Sequence, residues 1–212
     1  MFFFFLAVAV LIAAIEIGAI EYAYEKIGIN RRYVFGLLLL SLLGSYVNIP
    51  VAELPAGHVL SSRETPSFNI LPVSLGPQEW PQTVIAINLG GALIPILLSA
   101  YLLAKNEVVG PSALAVLAVT AVVHGMAKPV PGVGIVVPTI LPPLVATAAA
   151  LLLAEKSRPA VAYIGGTLGT LIGADVLNLT RFPALGAPIV SIGGAGTFDG
   201  IFLTGIIAVL LA

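Results

Sequence analysis

The chain has 212 residues, 59% of them hydrophobic and 9% charged, with a mean hydropathy of +1.10. Soluble domains carry roughly a quarter charged residues, so this composition excludes an ordinary soluble fold and makes the bilayer the solvent for much of the surface. The net charge of −1 argues against nucleic acid as a partner, and the lack of cysteine excludes disulfides, thiolate metal sites and thiol nucleophiles.

These properties predict an all-α integral membrane protein: one transmembrane domain over residues 1–212, with membrane lipid as its surroundings. The N-terminal run Met1-Phe2-Phe3-Phe4-Phe5 lacks the basic segment of a signal peptide and continues apolar for about 20 residues, so it reads as a retained first span. About 20 apolar residues cross the hydrocarbon core, and that length marks seven spans near 2–24, 33–49, 83–104, 111–127, 136–154, 159–178 and 199–212. Linkers are short except for an outer loop at about 50–82, rich in Pro, Ser and Glu, where Trp80 suits an interfacial anchor. Alternation puts Lys26, Arg31, Arg32, Lys105, Lys156 and Arg158 on the cytoplasmic side and Arg63, Lys128 and Arg181 outside, in keeping with the positive-inside bias. The expectation is a multi-pass protein of a prokaryotic cell membrane, N-terminus outside and C-terminus cytoplasmic.

The last span is short. Asp199 to Ala212 is 14 residues, or about 21 Å of a core about 30 Å thick. The preceding Gly186–Gly200 is apolar but too glycine-rich for a stable helix, which predicts a re-entrant loop dipping in from the outer side. Lys128–Pro138 reads as a second such segment. Small-residue runs at Asn88–Gly91 and Gly165–Gly169 predict close helix packing.

Few residues carry chemistry. The only two aspartates, Asp175 and Asp199, flank the Gly-rich connection, near the outer end of the bundle. Two carboxylates sharing a low-dielectric site do not both ionise, so one holds a proton while the other acts as a base toward water. The bland alternatives are an N-cap role for Asp199 and an ion pair of Asp175 with Arg181 or Lys128. His124 and Lys128, four apart, would share a helical face as a proton relay or ligand, or as interfacial packing beside a snorkelling lysine. Glu16 falls near the middle of the first span, where an unpaired carboxylate is costly; it suits a transporter's coupling group or a hydrogen bond to Asn88 or a tyrosine. Asn88, with Pro95 following, predicts a kinked third span, and Asn178 lies beside Asp175 as a supporting polar group. Ser191–Gly196, with Gly193, Gly194, Gly196 and Thr197 before a helix start, has the make-up of an anion cradle. His58, near Glu53, Arg63 and Glu64, reads as solvated surface; no zinc spacing is present, and neither a metal nor another cofactor is expected.

Three segments, His124–Gly134, Gly165–Asn178 and Ser191–Gly205, resemble an uncharacterised prokaryotic membrane protein family, a domain of unknown function. That resemblance covers most of the chain and implies no activity. More loosely, Gly194-Ala195-Gly196-Thr197-Phe198-Asp199 resembles the Gly-x-Gly-Asp signature of the intramembrane aspartyl proteases, the presenilin and signal-peptide-peptidase group. In that group a second aspartate lies on the preceding span, where Asp175 stands here. The pattern departs in having two residues between the last glycine and Asp199, no tyrosine before Asp175, and Pro183-Ala184-Leu185 between the aspartates. The resemblance implies an aspartyl dyad acting on a membrane-embedded peptide. The alternatives are a small-solute or ion transporter built on broken helices, and a non-catalytic membrane scaffold.

Overall fold

A computed structural model describes residue 13 and residues 16–55, 82–130, 134–185, 187–194 and 200–212. His58, Arg63, Glu64, Trp80, Gly196, Thr197 and Asp199 therefore lie outside the described residues.

The fold is mostly helical, but not all-α. Helix α1 (Glu16–Lys26) and α2 (Arg31–Gly44) meet at a 118° bend. Gly28 makes that turn at φ +85°, a left-handed conformation open to glycine, and Asn30 caps α2 by accepting from the Arg32 N–H at 3.0 Å. Strands β1 (Asn48–Pro55) and β2 (Gln82–Asn88) follow, then a π-helical turn, Leu89–Leu93, that opens into α3 (Ile94–Asn106). Helix α4 is Val109–Met126, strands β3 (Lys128–Val130) and β4 (Gly134–Val136) form a hairpin, and α5 is Leu141–Leu153. Helix α6 (Arg158–Thr170) runs into a second π-helical turn, Leu171–Asp175, and a 3₁₀ segment, Val176–Leu185. Strand β5 (Ile189–Ile192) and α7 (Gly200–Leu211) complete the order. Prolines near the first turns of α3, α5 and α6 (Pro95; Pro142 and Pro143; Pro159) start those helices where a missing N–H costs nothing.

Among the described residues, three helices are long and apolar enough to cross a membrane: Leu89–Asn106, Val109–Met126 and Arg158–Phe182. The bent pair α1–α2 makes a fourth if counted as one span, while α5 and α7 are shorter apolar helices. The sequence-based spans differ most at 83–88, which is β2, at 45–49, where the chain leaves α2 for β1, and at 136–140, which precedes α5. Apolar runs of this length do not distinguish a buried strand from a helix; pairing partners decide.

Helix α6 is the centre of the bundle, bordered by α3, α4, α5 and α7. Its glycines set the spacing. A Cβ on Gly165 would sit 2.8 Å from Ala115 Cβ, one on Gly169 2.5 Å from Val119 Cβ, and one on Gly205 of α7 would collide with the Thr167 hydroxyl. Small residues thus let backbones approach where lipid offers no hydrophobic drive for helix association.

One end of the bundle gathers the basic loops. Lys26 donates to the Leu210 carbonyl at 3.3 Å, Lys105 to the Gly28 carbonyl, and Ser157 to Asn106 Oδ1 at 3.2 Å. The α1–α2, α3–α4 and α5–α6 connections and the C-terminus therefore share that end. At the other end β2 pairs antiparallel with β1 and parallel with β5, giving the order β1-β2-β5. The β1 register slips between Pro50 and Ala52, beside a residue with no N–H for the ladder. Ile85, Phe182 and Leu185 form a small core between this sheet and the 3₁₀ segment, and Ala92, Leu171 and Ile201 join the sheet to the bundle. The two stretches expected to be re-entrant contain strand: β5 within Gly186–Gly200, and the β3–β4 hairpin within Lys128–Pro138.

Candidate functional site

Two helical breaks, the π-helical turns Leu89–Leu93 and Leu171–Asp175, meet the turn after β5. Gly193 and Gly194 both have positive φ, +91° and +72°, and Gly193 is clamped against the first break. A Cβ on Gly193 would lie 2.6 Å from Ala92 N, and one on Gly91 would collide with the Gly193 carbonyl. Only glycine fits both sides of that crossing.

The second break supplies the carboxyl group. Asp175, the last residue of the π-helical turn, is partly buried, and its Oδ2 accepts the Gly193 backbone N–H at 2.8 Å. The Gly193 N–H is thus taken by a carboxyl group of the chain itself. The ion-pair alternative for Asp175 finds no support: Lys128 and Arg181 are both exposed, and the ion pairs among the described residues join Arg31 to Glu21 and Glu25 at 3.4 and 3.7 Å.

Two asparagines hold the breaks. Asn88 is fully buried at the start of the first π-helical turn. Its Oδ1 accepts the Gly91 N–H at 2.7 Å, while its Nδ2 donates to the Ser45 carbonyl at 2.7 Å and to Asn48 Oδ1 at 3.0 Å. Ser191 of β5 donates to the same Asn48 oxygen at 2.8 Å, tying all three strands together. Asn178, also fully buried, donates to the Gly173 and Ala174 carbonyls, both at 2.9 Å. Those carbonyls lose their α-helical partners where the helix tightens to 3₁₀, and the amide replaces them. Both residues therefore satisfy broken backbone, which in an apolar bundle is what permits a break at all.

His124 and Lys128 do not share a helical face. Helix α4 stops at Met126, and Lys128 opens β3 because the following Pro129 disfavours helical backbone in the residue before it. His124 is partly buried, with Nδ1 at 3.4 Å from Asn178 Nδ2, so it meets the second break, while Lys128 is exposed. Glu16 is exposed at the beginning of α1, and the Asn88 side chain is occupied by partners other than Glu16. Sequence spacing gave no signal for Ser45 and Asn48; their role comes from strand pairing, which sets Asn48 opposite Asn88.

The described site thus joins Asp175, Asn178 and His124 on one side to Gly193, Gly91 and Asn88 on the other. A partly buried carboxyl group beside a glycine turn and two helical breaks has the chemistry to exchange a proton or to polarise a bound group. No curated protein and no solved structure matches the chain. Residues 42–211, which include every residue of this site, match the family described as "Protein of unknown function (DUF1614)", and the chain belongs to that family.

Proposed function

We propose that the chain is an intramembrane hydrolase, most concretely an aspartyl protease, with the Asp175 and Asp199 carboxyls as its reacting groups. The observation that carries this reading is the Gly193 N–H bond to Asp175, which sets the described part of the Gly-rich turn against that carboxyl group. Ile201, two residues past Asp199 in the sequence, clusters with Leu171 and Ala92 beside the same breaks.

In this reading one carboxylate takes a proton from water as the water oxygen attacks the scissile carbonyl carbon. The other, protonated, gives its proton to the carbonyl oxygen, forming a neutral tetrahedral diol. The first acid then protonates the amide nitrogen, the C–N bond breaks, and the second carboxylate recovers a proton from the diol. The substrate class is a membrane-embedded peptide. The short helices α5 and α7 complete a seven-helix bundle, with the basic end cytoplasmic and the strand-bearing segments returning into the outer side.

The absence of native cysteine makes the test clean. In the Asp175→Cys/Asp199→Cys double variant, oxidation or a short thiol cross-linker should join the two positions. Separately, Asp175→Asn and Asp199→Asn should each abolish cleavage of a reconstituted transmembrane peptide while leaving the protein monodisperse. Cysteines that never cross-link, or Asn variants that still cleave, would overturn the proposal.

A second reading is favoured by the pair of π-helical breaks: broken helices with free backbone groups are how transporters build substrate and ion sites. It expects gradient-driven solute uptake in proteoliposomes that Asp175→Asn abolishes, without peptide cleavage.

A further inference from the structure

Along α2 and α3, from Gly28 and Lys105 at the basic end to Leu40 and Ile94 beside the first break, runs an open groove of about 1040 Å³. Its walls are apolar: Leu37 and Leu40 of α2 face Ile94, Leu97 and Leu98 of α3, and Gly36 leaves the α2 side open. A Cβ on Gly36 would meet nothing within 4 Å. The groove is polar only toward one end, where Arg32 and Lys105 line it with Asn30, Tyr33 and Tyr101. Among the described residues no acidic residue lines it, and neither Arg32 nor Lys105 has a carboxylate partner. The nearby Glu21 and Glu25 are engaged by Arg31. Each cation instead stands over a tyrosine ring, Arg32 at 5.7 Å from the Tyr33 centroid and Lys105 at 5.5 Å from that of Tyr101.

We infer that this groove holds an anionic glycerophospholipid, with the phosphate between Arg32 and Lys105 and an acyl chain along the α2–α3 wall. The charge pattern selects the occupant. An apolar trough ending in two cations without a counter-charge complements a molecule with one anionic head and a long hydrocarbon tail. It does not complement a zwitterionic head, whose ammonium meets no carboxylate there, nor a soluble phosphate, which leaves the trough unfilled. Tyrosines suit the level of lipid head groups, and the cations belong to the end that also carries Lys26, Lys156 and Arg158, where anionic lipids gather against basic loops.

The test uses the full chain in neutral detergent, titrated with phosphatidylglycerol, phosphatidylcholine and inorganic phosphate, reading bound lipid by native mass spectrometry and the melting temperature in parallel. Phosphatidylglycerol should be retained and raise the melting temperature, while the other two do neither. Arg32→Gln or Lys105→Gln should each weaken phosphatidylglycerol binding about fivefold, and together about thirtyfold. Gly36→Trp, whose Cβ would meet nothing within 4 Å, puts a large ring in the trough and should abolish binding with the size-exclusion profile unchanged; Lys156→Gln should leave binding intact. Equal retention of phosphatidylcholine, a response to phosphate alone, or full binding by the Gly36→Trp variant would overturn the assignment. So would dimerisation through this face that the same variant dissolves, since the occupant would then be a second copy.

Discussion

Within the single helical segment Arg158–Phe182, the first half and the second half solve different problems. From Arg158 to Thr170 the helix is regular, and its glycines bring the α4 and α7 backbones into contact. From Leu171 onward the geometry changes twice, to π and then to 3₁₀, and side chains do the work that backbone bonds do in the first half. The difference teaches where function has room. A close-packed interface fixes position, whereas a break creates backbone donors and acceptors that side chains must meet, and with them a site.

Four substitutions probe that contrast, in descending order of effect on stability. Gly169→Leu attacks the regular half: the new side chain begins 2.5 Å from Val119 Cβ, so unfolding in denaturing detergent should show a loss of about 3 kcal/mol or more. Little change would mean that α4 and α6 separate freely. Asn178→Asp attacks the broken half by removing the amide donor to Gly173 and Ala174. It should cost about 2 kcal/mol and speed hydrogen exchange at 171–178 before the rest of α6. Asn88→Ala makes the equivalent cut at the first break. With bonds to Ser45, Asn48 and Gly91 lost, about 1–2 kcal/mol should go, and exchange should rise in β1 as well as in 89–93. Asp175→Asn is the mildest: an amide oxygen still accepts the Gly193 N–H, so stability should move by less than about 1 kcal/mol. Under the proposed chemistry, activity nonetheless vanishes. A large stability loss there would make Asp175 a structural residue like the asparagines.

Sequence patterns reach some of these features and not others. The glycine runs at 165–169 and 88–91 announced close packing, whereas Pro95, read as a kink, stands instead at the start of α3. Asn88 and Asn178 were legible as polar residues at membrane depth, though not as caps of π and 3₁₀ turns. The strands were the clearest departure. Gln82–Asn88 reads equally well as the beginning of an apolar helix, and only pairing with β1 and β5 makes it a strand. Likewise His124 and Lys128 have helical spacing, yet Pro129 ends the relation between them.

By itself the sequence determined that apolar helices long enough to cross a membrane would form, the helical character of the bundle and the gathering of basic loops. Those follow from composition and local chemistry, which act residue by residue. Tertiary structure alone decided that Gly193 donates to Asp175, that Asn48 stands opposite Asn88, and that α2 and α3 part to leave a cation-ended groove. These are relations between segments distant in the chain, set by backbone hydrogen bonds that must be met in an apolar medium and by how near glycines let helices come.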